Sequence, residues 1–396
     1  MNQRIYLDNA ATTQVDERVV LSMLPYHSIE FGNASSLHSY GTHAKEVLDR
    51  SRRKLAAFIG AEPEEIIFTS GGTESNNLAV KGIAFANRSK GNHIIVSTIE
   101  HDCILNACKW LETQGFYITY LPVDSTGQVD PDELKKFINP KTILVSIMHA
   151  NNEIGTLEPI AEIGDICNYV NVPFHSDACQ SFGKIPIDVR KSHLDLLTIN
   201  SHKIYGPKGV GALYVRKGTN IIPLLHGGGQ ESGLRSTTEN LPGIVGFVNA
   251  SELCVEEIKT ESNRLTHLRN NLTQFLFENF ENVYINGSID NKLPGLLNFS
   301  FHGLEGETMR LLLLLDEKGI AVSAGSACSS NDKTHNASHV LQAIGLNQFE
   351  ARGSIRVSFG RYSTEQDLGK FKISLSESVN SLTSIFSGSP ISSYNG

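Results

Sequence analysis

Cysteine is scarce in this chain: six in 396 residues, and none in a Cys-x-x-Cys pair. A disulfide framework needs a far denser set in a shorter chain. Cys103 and Cys108 stand nearest to each other, but they lack zinc-site spacing and a second pair to complete four ligands, so no metal site is expected. A reducing cytoplasm is the compartment this usage suits. Positive charge is also short. Lysine and arginine number 34 against 42 aspartates and glutamates, for a net charge of -8 and a pI near 6.0. That balance argues against direct nucleic-acid binding as the main task. Long apolar runs are missing as well. The strongest, Leu311 to Leu315, falls far short of the roughly 20 residues of a membrane span and reads as a buried helix face. The opening MNQRIYLDNAATT has no basic region followed by an apolar segment, so no signal peptide is expected. Neither an internal repeat nor a low-complexity segment is visible.

What remains is ordinary globular composition, 40% hydrophobic and 19% charged, in a chain long enough for a large domain and a smaller one. Through about residue 215, strands and helices alternate, which predicts a mainly parallel sheet covered by helices. Such a sheet binds ligands beyond the carboxyl ends of its strands. The stretch 177–208 is the centre of that reading. An apolar strand through Phe174, His175 and Ser176 delivers Asp177; a second, Leu194 to Ile199, delivers Ser201-His202-Lys203 and a Gly-Pro-Lys-Gly turn. A lysine in this setting can bind an aldehyde cofactor covalently. An aspartate from a neighbouring strand can keep a pyridine nitrogen protonated, which is the protein's share of pyridoxal phosphate (PLP) chemistry.

Other strand ends carry matching chemistry. The strand Glu65–Ser70 runs into Gly71-Gly72-Thr73 and a helix start, an arrangement whose free N–H groups and helix dipole suit a phosphate. A strand from His93 to Thr98 leads to Glu100-His101-Asp102, and an imidazole there can carry protons near neutral pH. The strand from Thr142 to His149 leads to Asn151-Asn152-Glu153. Residues 226–242, HGGGQESGLRSTTENLP, form a long glycine-rich polar loop of the kind that is functional or spans an interface. A long helix from about Ile244 to Phe280 reads as the hinge between the two domains. Beyond it lie a strand Leu296–Phe301, a helix Glu307–Lys318, the segment GSACSS around Cys328 with a polar stretch to Asn336, a helix from Ser338, and a strand bearing Arg356. The tail SGSPISSYNG reads as disordered.

Taken together, the blocks YLDNAATT, FGNASSLH, FTSGGTESNN, EHDCILN, HANNEIGTLEPI, HSDACQSFGK, SHKIYGPKGVGALYV, HGGGQESGLRSTTENLPGIVGF and GSACSS resemble, in order and almost from end to end, the cysteine desulfurases of the NifS/IscS type. Those are class-V aminotransferase-like, fold-type-I PLP enzymes. The resemblance implies an α/β fold with a mainly parallel seven-stranded sheet between helices. It implies a large PLP-binding domain at 14–255. The small α+β domain would comprise 1–13 and 256–396 and carry the cysteine loop at about 323–337.

The same resemblance implies a reaction and roles. L-Cysteine would lose its sulfur to a persulfide on Cys328, giving L-alanine. Lys203 would hold PLP and later carry protons. Asp177 would pair with the pyridine nitrogen, Gln180 would bond the ring hydroxyl, and His101 would stack on the ring. Gly72, Thr73 and His202 would hold the phosphate, joined by Thr238 from the partner of a homodimer. Asn152 would lie beside cofactor and substrate, and Arg356 would clamp the substrate carboxylate. The family has Ser where this chain has Asn200, so the phosphate contact there falls to an amide or to Ser201. The polar stretch after Cys328 resembles the long-loop branch, which passes sulfur to a scaffold or tRNA-modifying partner, and Cys328 itself would transiently ligate a cluster on such a scaffold. Iron–sulfur assembly is the expected destination; tRNA thiolation, DNA phosphorothioation and a selenocysteine lyase activity are the alternatives. Cys103, Cys108, Cys167, Cys179 and Cys254 receive no role.

Overall fold

The computed structural model describes residues 4–324 and 337–387. Cys328, the polar stretch that follows it, and nearly all of the tail lie outside the described residues. The first part of the chain contains β1 (Ile5–Tyr6), α1 (Glu17–Met23), α2 (Pro25–Ser28), α3 (Ser39–Ile59), β2 (Ile66–Thr69), α4 (Gly72–Ala86), β3 (His93–Ser97), α5 (Asp102–Thr113), β4 (Tyr117–Leu121), α6 (Pro131–Phe137), β5 (Thr142–Ser146), α7 (Ile160–Val170), β6 (Phe174–Asp177), β7 (Leu196–Asn200) and β8 (Gly211–Val215). There follow α8 (Leu241–Asn279), β9 (Val283–Asn286), β10 (Leu296–Phe301), α9 (Thr308–Glu317), β11 (Ile320–Ala321), β12 (Ser323–Ala324), α10 (His339–Ala343), β13 (Ser354–Ser358) and α11 (Glu365–Ser387). Strand ends differ from the sequence reading by one to three residues because polar strand-end residues leave the ladder to face the crevice.

The main sheet has seven strands in the order β2-β8-β7-β6-β5-β3-β4. Only β8 runs against the rest, pairing antiparallel with both β2 and β7. The central strands are buried on both faces, which is why they read as continuous apolar runs. Alternate side chains divide between the two faces. Phe68, Ile95, Val145, Leu197 and Ile199 meet α3 and the start of α8, whereas Ile67, Ile94, Val96, Leu144 and Leu196 meet α4 and α5. Edge strand β4 was not read from the sequence: Tyr117 is exposed and the alternation is weak.

A second, four-stranded antiparallel sheet has the order β12-β13-β10-β9, and β1 pairs parallel with β11. The 39 residues of α8 serve both regions. Residues from Leu241 to Cys254 pack on the main sheet, and Leu265, Leu268, Leu272 and Leu276 pack with β10, β13 and α11. Each fully buried leucine contributes roughly 1.5–3 kcal/mol, so the second half of α8 is held firmly to the smaller sheet. The N-terminal segment crosses from one region to the other: Asp8 bridges Ser358 of β13, and the Thr13 N–H donates to the His202 carbonyl at 2.9 Å. The crevice between the regions therefore lies over the carboxyl ends of β5, β6 and β7.

Candidate active site

Asp177 is the last residue of β6 and is buried. Its Oδ1 accepts the Cys179 N–H at 2.9 Å, and its Oδ2 accepts Asn76 Nδ2 at 2.6 Å. Two charge-assisted bonds fix the carboxylate's direction. Neighbouring β7 runs parallel, with Thr198 in register with Asp177, and Lys203 follows three residues after the strand's end. The Lys203 turn is fastened by the Thr13 N–H and hydroxyl, both donating to the His202 carbonyl at 2.9 Å. Lys203 and Asp177 act on the same neighbours. Burial pushes the Cys179 thiol well up, Asp177 adds to that rise, and Lys203 opposes it.

His101 caps α5. Its Nδ1 accepts the Cys103 N–H at 3.2 Å and lies 3.1 Å from the Cys103 thiol. Those contacts assign the ring proton to Nε2. Burial lowers the His101 pKa, and Lys203 lowers it further against the pull of Asp177, so the ring is neutral at physiological pH. Asn76 Nδ2 also reaches Cys103 Sγ at 3.2 Å, so one amide links the acid's support to the histidine's. Asn76 was not singled out in the sequence, and Cys103 was given no role there. Their signal was position alone: an amide about one turn into α4 and a thiol at the second residue of α5.

The strand β2 runs through the glycine turn directly into α4. Gly71 adopts φ +148°, a conformation closed to side chains, and α4 begins at once without a side-chain cap. A Cβ at Gly72 would sit 2.6 Å from Cys179 Sγ. An open cavity of about 390 Å³ lies here, lined by Thr12, Gly71, Gly72, Thr73, His202 and Lys208. His202 Nδ1 is 3.1 Å from Thr12 Oγ1, and burial together with the charges of Lys203, Lys208 and Lys184 pushes its pKa down to about 4. Asn200 ends β7 beneath the glycine turn, with a buried Oδ1 that has no partner among the described residues. Ser201 is fully buried with its hydroxyl against Gly206, and it does not line the cavity. Thr238 is exposed and lies outside its own chain's cavity.

At the other end of the crevice Gln180 donates to the Ala10 carbonyl at 2.9 Å and accepts from Lys184 at 3.2 Å. Arg356 on β13 is 1% exposed. It donates to the Asn152 carbonyl and to Asp8 Oδ1, each at 2.9 Å, while its Nε has no partner among the described residues. Sequence reasoning missed Asp8, whose partner lies 348 positions away. Burial raises the Asp8 pKa against the pull of Arg356 and Lys203.

Both flanks of the segment containing Cys328 are tied to this crevice. Ser323 stands opposite Arg356 in the β12–β13 ladder. On the far side the Ser338 hydroxyl donates to Glu153 at 2.6 Å, and His339 donates to the Glu100 carbonyl at 3.0 Å. The described end points thus adjoin Arg356, Asn152 and His101.

The sequence pattern of the class-V aminotransferases matches residues 5–371. Cysteine desulfurase IscS of Dictyoglomus turgidum is 51% identical over 368 residues, 93% of this chain and 92% of the relative. The chain belongs to the PLP-dependent cysteine desulfurases of the class-V aminotransferase family. A solved NifS-like protein superposes with a TM-score of 0.89 at 39% identity, covering 96% of this chain and all of the other. A structure of SspA in complex with cysteine has a TM-score of 0.80 at 40% identity, covering 91% of this chain and 100% of that one. The residues of this desulfurase fit PLP: an uncapped helix start, whose free N–H groups suit a phosphate, lines the cavity at one end of the crevice, and a firmly held carboxylate stands at the other. Among the described residues no helix is long and apolar enough to cross a membrane.

Glu100 supports the floor of the crevice, accepting the Ser97 hydroxyl and the Met148 N–H at 2.7 Å each. Burial pushes its pKa up to about 8. The folded chain then holds a proton that the unfolded chain releases above about 4.5, so this group's contribution to stability falls as pH rises from there to about 8. Glu100→Gln removes that dependence. Its stability relative to the parent is expected to rise by on the order of 5 kcal/mol between acidic and mildly alkaline pH. Denaturant melts across the window check this, and a difference independent of pH would refute it.

Proposed function

We propose that the enzyme moves the sulfur of L-cysteine onto Cys328, releases L-alanine, and passes the resulting persulfide to a protein acceptor for iron–sulfur cluster assembly. The observation that carries this reading is the attachment of both flanks of residues 325–336 to the neighbours of His101, Asn152 and Arg356. Both anchors bring the ends of the segment that carries Cys328 to the crevice in which the substrate sulfur would be released.

Bound in the crevice, PLP supplies an electron sink for the bond changes at the substrate. The chain's own groups do the rest. Gly72, Thr73, His202 and Asn200 would hold the phosphate, and Asp177 would hold the ring nitrogen's proton. Gln180 would face the ring hydroxyl. Arg356, oriented by Asp8 and the Asn152 carbonyl, would receive the substrate carboxylate. Lys203 would bind the cofactor covalently and then carry the substrate's Cα proton. His101 would offer the proton on Nε2 to the reacting atoms. The Cys328 thiolate forms a bond to the substrate sulfur while the substrate's carbon–sulfur bond breaks. That electron pair stays with Cβ, which takes a proton to give alanine.

Residues 14–255 would form the cofactor-binding unit, with the remainder closing over it. The exposed position of Thr238 supports a homodimer in which that hydroxyl serves the partner's phosphate site. The five cysteines among the described residues are all unpaired, which supports a reducing cytoplasm. The test is peptide mapping after brief exposure to L-cysteine: one additional sulfur, removable by a reductant, is expected on the peptide carrying Cys328. Alanine release with the extra sulfur on Cys103 or Cys179 instead would overturn the assignment.

A further inference from the structure

The phosphate cavity contains an acid. Glu74, in the first turn of α4, lines the same cavity as Gly72, Thr73 and His202. Its Oε2 accepts the Ser70 N–H at 2.7 Å, so the side chain reaches back around the glycine turn and takes up one backbone donor. An ionised carboxylate on the wall of a phosphate site repels its ligand. Burial pushes the Glu74 pKa up, but hydrogen bonds from Arg235 and Ser70 outweigh it and hold the group below the usual carboxylate range. The charge is therefore present at neutral pH.

Arg235 answers it. Its Nε and Nη2 bond the two carboxylate oxygens of Glu74 at 2.8 and 3.1 Å, a bidentate pair with both side chains mostly buried. Arg235 stands in the glycine-rich loop, at a bridge to Leu225. That loop is itself tied to β2. Glu231, at φ +50°, accepts both terminal nitrogens of Arg52 at 2.7 and 2.6 Å and the Phe68 N–H at 2.8 Å. The cation is thus delivered by a segment fastened to the strand that ends in the glycine turn.

We propose that Arg235 is a positioning residue for the cofactor phosphate: it neutralises Glu74 and keeps that side chain turned onto Ser70, so that the cavity accepts a doubly charged anion. The proposal rests on the reading of Gly72, Thr73 and His202 as the phosphate cradle. It makes signed predictions that a merely structural pair does not. Arg235→Met leaves Glu74 charged and unpaired. Glu74→Gln removes the repulsion while leaving the cation in place. The double variant removes both charges.

The experiment titrates the full-length enzyme with PLP and, separately, with pyridoxal, which lacks the phosphate, following cofactor absorbance. Arg235→Met is expected to weaken PLP binding about tenfold, the change that about 1.4 kcal/mol produces, and to leave pyridoxal binding unchanged. Glu74→Gln should bind PLP at least as tightly as the parent, and the double variant should recover most of the loss. Thermal melts of each variant identify any that fail to fold. Equal losses for PLP and pyridoxal, or a double variant as weak as Arg235→Met, would overturn the proposal. Thr73→Val separates the two readings. If it leaves the preference for PLP over pyridoxal intact, the cradle itself is wrong. If it erodes that preference while Arg235→Met does not, only the role of Arg235 falls.

Discussion

Lys203→Ala is expected to abolish covalent attachment of PLP and to lower alanine production by roughly 10³-fold or more, near the upper range that one proton-transferring group supplies. The variant should still bind the cofactor, because the glycine turn, His202 and Asp177 remain. The turn itself is secured by Thr13 on the His202 carbonyl, which the substitution leaves untouched. Borohydride reduction followed by denaturation separates the two effects: cofactor should remain on the parent chain and be released from the variant. Cofactor retained by the variant would mean that another amine, such as half-buried Lys184 beside Gln180, does the work assigned to Lys203.

Cys328→Ser should keep the visible absorbance of the bound cofactor and lose sulfur transfer, with alanine and sulfide production falling by roughly 10²-fold or more. A serine hydroxyl is un-ionised at neutral pH and is a poor nucleophile toward sulfur, whereas a cysteine thiolate is a good one. The five other thiols offer no replacement at hand: burial raises Cys103, Cys108, Cys167, Cys179 and Cys254 above the ordinary thiol range. Substrate binding should survive, since Arg356 and its supports Asp8 and Asn152 lie outside the cysteine's segment. Normal alanine production by this variant would remove Cys328 from the chemistry. Retained production with sulfide released straight to solvent would confine its role to carrying the atom away.

Several elements were legible because their causes are local. The strands β3, β5 and β7 announce themselves as apolar runs that end in polar clusters, since a strand covered on both faces has no solvent-facing positions until it leaves the sheet. The glycine turn before α4 was readable as a turn, because paired glycines between an apolar strand and a helix start let the backbone take a conformation that other residues rarely adopt. Helix α11 was not read from the sequence, although Leu368, Phe371, Leu375, Val379 and Leu382 lie at helical spacing on its buried face. Edge strand β4 was not read either, because Tyr117 faces solvent, Tyr120 is only partly buried and the alternation blurs.

The order of motifs along the chain determined, without coordinates, the family, the cofactor and the reaction, because each motif is a short run whose chemistry depends on its own backbone. Only the tertiary structure decided which groups hold those motifs in place. Asn76 meets Asp177 across 101 positions, Arg235 meets Glu74 across 161, and Asp8 meets Arg356 across 348. Such pairs leave no periodic trace in a sequence. They arise where strands from distant parts of the chain end side by side, and a buried charge there takes whichever opposite charge or amide the crossing brings within reach.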